Sequence, residues 1–590
     1  MVVCHENGEQ KGVMKPFLIL TFHALMLGWM AYAHSPLMDE PAHLASGLSH
    51  WKYHSFDLYR VNPPLVRSIV AIPLLFISNH TDWHSFSKDP YKRAEFRVGI
   101  DFLNMNRERY HYLLMFARFF CIPFSILGGW VCYRFGQELF GNASGMIAIL
   151  LWCFSPLVLA YGYTIMPDVA GASLGITAMW FAWKWLRDFC YAEAIKFGII
   201  LGIAQLTKFT LLVIYPICIL LLIVKQFRCY TNLSNSFTNS LNQMLVVLAI
   251  SVLVINIAYG FEGSFMSLEK YEFVSRSLCG ETKWNTTTDR GFTTTGNRFR
   301  NTVLGKIPVP LPMNYVAGID VQKKDFEVGQ PSYFLGKWNR TGRYDYYIIG
   351  LLIKGPFSTW ILFFLALLSF LFSQRYRSDL IGELALMIYA ITILILVSSQ
   401  TGLNSHLRYA MPTLPVLFIW ISRLARSFLG NNRIIAIVVL ILTCVMIFSS
   451  LKVYPHSMSF ASELIGGAQN GPKYLLGSNI DWGQNAYFLK KWCDAHPEAR
   501  PIHIEYFSAE TPERLGIQES RKSRNLSEPG WYAIGVNQLY DSSNRYEKFR
   551  WMIPVDHIGY SVFIYNVAKQ DTEQIRCEGK IWPQTNGVHK

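Results

Sequence analysis

The sequence predicts a polytopic α-helical membrane protein with a C-terminal soluble α/β domain, on three observations. The 590 residues are 51% hydrophobic and 15% aromatic but only 16% charged, too apolar a mixture for a water-soluble chain. The apolar residues fall in blocks of roughly 17–25, the length that crosses a hydrocarbon core of about 30 Å. Beyond about residue 452 the blocks stop, and short alternating runs broken by Gly, Pro and Asn take over.

Reading the blocks in order gives about eleven transmembrane helices, near 16–38, 111–135, 143–162, 168–186, 192–206, 209–225, 243–261, 346–372, 380–398, 407–427 and 433–452. The fifth and sixth are separated only by Gln205-Leu206-Thr207-Lys208 and read equally well as one kinked helix. The first is long and lacks a small-residue cleavage site, which reads as a retained anchor. Orientation follows from the basic residues. With Lys11 and Lys15 inside, Arg134, Lys184, Arg187, Lys196, Lys225, Arg228, Arg375, Arg377, Arg423, Arg426 and Arg433 all fall on the same side, against Lys208 and Arg408 on the other. The N-terminus is therefore expected in the cytoplasm and the tail outside.

This topology divides the chain into a membrane domain, 1–452, with outer segments 39–110 and 262–345, and an extracytoplasmic α/β domain, 453–590. Within the first outer segment, Asn62-Pro63-Pro64 precedes an apolar run to Ile77 that is too short to span and reads as an interfacial or re-entrant helix. The tract Val309–Tyr315 in the second is expected to pack on the membrane face. In the tail, 473–477, 501–507, 531–536 and 560–566 read as strands and 484–495 as a helix.

The net charge of +14 lies mainly beside the spans and is no nucleic-acid signal. Most of the eleven cysteines lie in or beside apolar blocks, leaving Cys4, Cys279, Cys493 and Cys577, too few in polar segments for a disulfide framework. Asn79, Asn285, Asn339 and Asn525 head N-x-S/T triplets on the outer side, a pattern common by chance.

The chemistry-bearing residues are charges at span ends. Asp39 and Glu40 close the first block, where Pro41 already suffices to end a helix. Asp168, Lys208 and Arg408 fall at the same membrane face, and Arg118 lies about two turns inside the second block, where an unpaired charge is costly. Each has a bland alternative. Asp168 reads as a helix N-cap; Lys208 and Arg408 read as snorkelling bases. Arg118 reads as half of an intramembrane ion pair, Glu40 as a surface charge and His43 as a packed interfacial histidine. Together, acids beside bases at one face can hold an anionic lipid headgroup while a carboxylate takes a proton from an acceptor. A transporter would place such charges near the midplane on broken, repeated helices. A membrane-anchored sensor or glycan-binding protein would leave Arg118 unexplained.

Several segments carry a family resemblance: Met38-Asp39-Glu40-Pro41-Ala42-His43, Asn62-Pro63-Pro64-Leu65, Pro167-Asp168-Val169-Ala170, Leu206-Thr207-Lys208-Phe209-Thr210, His406-Leu407-Arg408-Tyr409 and Ser478-Asn479-Ile480-Asp481-Trp482-Gly483-Gln484. With them the chain resembles the integral-membrane glycosyltransferases of the GT-C superfamily, in particular bacterial relatives of dolichyl-phosphate-mannose protein mannosyltransferases and of lipid A aminoarabinose transferase. The resemblance implies a bacterial cytoplasmic membrane, a polyprenyl-phosphate sugar donor, and inverting transfer to a lipid, glycan or protein acceptor. By likeness Asp39 is the general base, Glu40 orients the acceptor or sugar, and Asp168 matches the second acidic position. Lys208 and Arg408, with Arg118, His406 and His43, are the expected substrate- and phosphate-binding residues. Asp481 and Trp482 form a candidate sugar platform, with a capped strand-to-helix turn as the alternative. The acidic motif is Asp-Glu rather than Asp-x-Asp, so a metal site is not implied; no cofactor is assigned, and a divalent metal is left open. The tail does not resemble the β-trefoil insert of the eukaryotic enzymes, which counts against a protein acceptor.

Overall fold

The computed structural model describes residues 6–89, 92–228, 233–280, 295–400, 402, 404–429, 433–517 and 528–568. The triplets at Asn285 and Asn525, together with Cys4 and Cys577, lie outside the described residues.

The molecule is mostly helical. Among the described residues, six helices are long and apolar enough to cross a membrane: Lys15–Ala33, Tyr110–Phe140, Phe209–Phe227, Thr238–Ala258, Leu380–Ser399 and Arg433–Val453. Tyr346–Lys354 and Phe357–Phe372 make a seventh if the pair, bent by 116°, is counted as one span. The expected count of eleven is therefore not reproduced by this measure. The expected spans near 143–162, 168–186, 192–206 and 407–427 are helical, but by length, breaks or composition they fall short of it. Asn142–Cys153 and Pro156–Tyr161 are separated by a break at Ser155, and Leu407–Leu429 alternates between 3-10 and α geometry around Pro412 and Pro415. Pro lacks the N–H that a helix interior needs, so these segments break where the sequence places it.

Side chains such as Leu18, Leu25, Phe364, Leu368, Ile437, Leu440, Ile441 and Phe448 are exposed along the outer helices, while Leu27, Trp152, Trp185, Leu211 and Tyr389 are buried between them. An apolar exterior of that extent is what a hydrocarbon solvent permits and water does not.

Residues 40–105 build a small helical cap. The Glu40–Tyr53 helix packs on Leu65–Ala71 and on Ala94–Met105, enclosing Leu44, Leu48, Val70, Val98 and Phe102. Two glycines permit the contact: a Cβ on Gly47 would lie 2.0 Å from the Arg67 carbonyl oxygen, and one on Gly99 2.5 Å from the Ala42 nitrogen. The Leu65–Ala71 helix with the 3-10 turn Ile72–Leu75 is the short element expected after Asn62-Pro63-Pro64. Tyr315, at the end of the 309–315 tract, is buried against Phe209, Ile255 and Tyr259.

Strands β1 (Ser332–Phe334) and β2 (Lys337–Asn339) form an antiparallel hairpin. In the tail, β3 (Ile502–Glu505), β4 (Gly530–Gly535), β5 (Asp556–Ile558) and β6 (Val562–Val567) form a sheet in the order β3-β4-β6-β5, parallel only between β3 and β4. Period-two alternation in β4 sends Ala533 to one face, with Leu489 and Ile564, and Tyr532 and Ile534 to the other, with Phe549 and Tyr565. The expected strand at 473–477 is not one: 3-10 turns cover Ala468–Lys473 and Gly477–Asn479, and only Leu475 makes an isolated bridge, to Phe334. Gly471, Pro472 and Gly477, the last at φ +62°, favour turns over extended pairing.

Candidate active site

Five segments distant in sequence meet at one cavity of about 850 Å³, whose walls include Asp39, His43, Asp168, Lys208, His406, Arg408 and Trp482. Asp39 is the N-cap residue of the Glu40–Tyr53 helix but makes no side-chain cap hydrogen bond. Its Oδ2 instead accepts from Arg408 Nη2 at 3.0 Å. Arg408 Nε lies 3.9 Å from Asp168 Oδ2, and Lys208 Nζ donates to Asp168 Oδ1 at 2.5 Å. The order Asp39–Arg408–Asp168–Lys208 alternates in sign along the wall. Charges out of water persist only when so paired, because each partner offsets the desolvation of its neighbour.

Local sequence explains each position. Met166, not Asp168, caps the Pro167–Asp188 helix, so the capping alternative for Asp168 is set aside; the residue sits in the first turn with its carboxylate turned to Lys208. Lys208 lies in extended backbone between the Tyr191–Gln205 helix and the 3-10 turn Phe209–Val213. A Cβ on Gly171 would sit 3.4 Å from the Lys208 Cβ, so the glycine lets the lysine stem lie against that helix. The snorkelling alternative fails too: Lys208 is 1% and Arg408 7% exposed.

Glu40 and Arg118 are not brought to the cavity. Both are fully buried, and Arg118 spends all five N–H donors locally. Two go to Glu40, from Nε at 3.0 Å and Nη2 at 2.5 Å, and three to the carbonyls of Ala31, His34 and Ser35 at 2.7–3.1 Å. Glu40 also accepts from the Leu37 and Ile165 backbone N–H groups at 2.8 and 2.9 Å. The expected orienting role of Glu40 and phosphate role of Arg118 therefore give way to a saturated ion pair that fixes the turn leading into Asp39.

His43 lines the cavity with its ring stacked on Tyr59 at 4.5 Å, and His406 Nδ1 lies 2.7 Å from Ser478 Oγ. Burial, with Arg67 beside His43 and Arg408 beside His406, holds both imidazoles well below the usual histidine range. They are neutral hydrogen-bonding groups, not cations. Of the tail pair, Trp482 lines the cavity, its ring 5.5 Å from His406 and 5.3 Å from Phe507. Asp481 does not; its Oδ1 accepts from the Gly483 N–H at 2.8 Å and the Tyr506 hydroxyl at 3.0 Å, and burial pushes its carboxyl up to about 7. The helix that follows, Ala486–Ala495, has Asn485 at its N-cap position with no side-chain capping bond, so the capped-turn alternative does not describe the motif either.

Sequence reasoning missed Tyr59, Lys92, Arg93, Lys324 and Asp325, which also line the cavity. Arg93 bridges Glu95 at 2.5 Å and Asp325 at 2.8 Å across 232 positions of chain. No spacing rule connects those segments. The indole N–H of Trp482 and the amide oxygen of Asn62, both residues that line the cavity, have no hydrogen-bond partner among the described residues. Among the described residues no group of three or more His, Cys, Asp or Glu is gathered to hold a metal ion.

A family model described as dolichyl-phosphate-mannose-protein mannosyltransferase matches residues 114–258, a stretch that includes Arg118, Asp168 and Lys208. No curated protein matches the chain. Among solved structures, ArnT from Cupriavidus metallidurans bound to undecaprenyl phosphate aligns at 12% identity over 93% of this chain and 97% of its own, with a TM-score of 0.41. Its apo state aligns at 12% over 95% and 99%, with 0.43. The Archaeoglobus fulgidus oligosaccharyltransferase tethered with an acceptor peptide aligns at 14% over 74% and 54%, with 0.41. Over residues 114–258, then, the chain is similar to the family described as dolichyl-phosphate-mannose-protein mannosyltransferase.

Proposed function

We propose that the protein is an integral-membrane glycosyltransferase that moves a sugar from a polyprenyl-phosphate donor to an acceptor hydroxyl, with inversion, at the non-cytoplasmic face. The observation that carries this reading is the alternating chain Asp39–Arg408–Asp168–Lys208 along one cavity of about 850 Å³. A volume of that order accommodates a sugar and a phosphate together.

The lipid phosphate lies against Lys208 and Arg408, and the prenyl chain leaves toward the membrane. When Arg408 engages the phosphate, Asp39 is released from its ion pair and faces the acceptor. The acceptor oxygen attacks the anomeric carbon and its proton passes to the Asp39 carboxylate. The bond from that carbon to the phosphate oxygen breaks, and its electron pair stays on the phosphate, where the two cations stabilise the growing charge. Asp168 keeps Lys208 and Arg408 aligned between substrates. Trp482 offers an aromatic face and an indole N–H to the sugar, and Asn62 an amide oxygen for a hydroxyl. The neutral His43 and His406 serve as further hydrogen-bonding partners. Lys208 and Arg408 supply positive charge where a metal would otherwise act.

The test is to incubate the purified protein in detergent or nanodiscs with a panel of polyprenyl-phosphate sugars and measure release of free polyprenyl phosphate. Release that depends on Asp39 supports the reading. Uptake of a labelled solute into proteoliposomes without sugar transfer would replace it with a transporter.

A further inference from the structure

The Ser478–Gln484 loop of the tail touches both halves of the charged chain, and most of it is buried: Ser478, Asn479, Ile480, Asp481 and Gln484 are at most 3% exposed. Toward Arg408, the Asn479 Oδ1 accepts from the Leu407 N–H at 2.9 Å, and its Nδ2 donates to the Ser405 carbonyl at 2.9 Å. Ser478 Oγ meets His406 at 2.7 Å. Toward Asp39, the Trp482 carbonyl accepts from the Met38 N–H at 3.1 Å, and the Gln484 carbonyl from the Ser35 N–H at 3.2 Å. Ser35 Oγ donates to the Gly483 carbonyl at 2.7 Å and accepts from the Ala486 N–H at 2.9 Å. The loop is itself anchored from the membrane side, where the buried Lys354 ammonium donates to the Asn479 carbonyl at 2.7 Å and to the Met458 carbonyl at 2.8 Å.

From these bonds we infer that the Ser478–Gln484 loop is a crossbar that positions Arg408 and Asp39 against each other, with Asn479 the positioning residue for the Arg408 segment and Ser35 the receiving residue for the Asp39 segment. The two charged residues stand 369 positions apart, Asp39 at the N-cap position of the Glu40–Tyr53 helix and Arg408 in the 3-10 segment Leu407–Thr413. The Arg118–Glu40 pair fixes the stretch before Asp39 locally, and the 3-10 segment Leu407–Thr413 has its own short bonds, but these bonds do not tie the two backbones to each other, and the sub-ångström tolerance of transfer chemistry calls for hydrogen bonds that do. The loop supplies those bonds from a third place. It also makes the tail part of the site rather than an appendage, because Trp482 projects into the cavity from the same crossbar.

The inference rests on the glycosyltransferase reading for its kinetic consequences but not for its structural ones, and two single variants separate them. Asn479→Ala loosens the Arg408 side and Ser35→Ala the Asp39 side. Backbone hydrogen exchange on the full-length protein is expected to rise in 405–409 but not in 35–39 for the first variant, and in the reverse pattern for the second. In transfer assays, Asn479→Ala is expected to raise the donor KM about tenfold or more with a smaller effect on kcat. Ser35→Ala is expected to lower kcat by a similar factor at nearly unchanged donor KM. Both lie within the roughly hundredfold range that a misplacement of about 1 Å costs. Uniform loss of activity in proportion to misfolded protein, or identical exchange and kinetic patterns in the two variants, would overturn the crossbar. If the wild-type protein transfers no sugar while the exchange patterns still split, the glycosyltransferase reading falls and the crossbar stands.

Discussion

Asp39 and Glu40 are neighbours in sequence with opposite fates. Asp39 faces the cavity and meets Arg408; Glu40 turns inward and is consumed by Arg118 and two backbone N–H groups. Asp39→Asn keeps the size and a hydrogen-bonding oxygen while removing the base. Transfer is expected to fall by about 10²–10⁴-fold with normal detergent-solubilised yield and melting temperature; retained turnover would exclude Asp39 as the base. Glu40→Gln or Arg118→Met leaves one buried charge uncompensated and is expected to cost about 3–5 kcal/mol. The double variant is expected to cost less than either single one. Thermal unfolding followed by size-exclusion chromatography measures this, and additive losses would argue against a coupled pair. Arg408→Lys, which lacks the planar fork that reaches both Asp39 and Asp168, is expected to raise the donor KM nearly as much as Arg408→Ala.

At the scale of elements, the placement of Asp39 depends on glycine contacts. Gly99→Ala puts a methyl into the backbone of Ala42, against which the cap helix has no slack. It is expected to destabilise by about 1–3 kcal/mol and to lower kcat through a displaced Asp39, as read by melting temperature and single-turnover transfer. In the crossbar, the Asp481 carboxyl is raised from 3.8 to about 7 by burial. The folded state thus holds a proton that the unfolded chain has released, and between about pH 4 and 7 stability falls as pH rises. Asp481→Asn keeps an acceptor for the Gly483 N–H and Tyr506 hydroxyl and is expected to flatten that slope in pH-dependent melting. An unchanged slope would show that Asp481 does not cause it.

Much of this was legible in the chain. Apolar block lengths marked the helices, and the residues worth examining announced themselves as charges where lipid should exclude them. The count of eleven spans is not confirmed, because four of the expected segments fall short of a span in length, continuity or apolar composition although they are helical. The strand at 473–477 was overread because a short apolar run looks the same whether it pairs or turns. Asp481 was read toward the sugar because its neighbour Trp482 does line the cavity; in an irregular loop, adjacent residues have no fixed relative direction. Arg93 and Asp325 escape a reading of the sequence because each alone is an ordinary polar-segment charge, one just before the Ala94–Met105 helix and one within the Met313–Val328 helix.

Across the whole molecule, the sequence by itself determined which segments are apolar enough to prefer hydrocarbon and which charged residues stand at their ends, since transfer free energies act residue by residue. Only the tertiary structure decided who meets whom: Arg408 with Asp39, Lys208 with Asp168, Glu40 with Arg118, and Asn479 with Leu407. A buried charge requires a partner, but hydrophobicity and helical period say nothing about which one. That choice is made by packing, when helices held by small-residue contacts bring ends hundreds of positions apart to the same few ångströms.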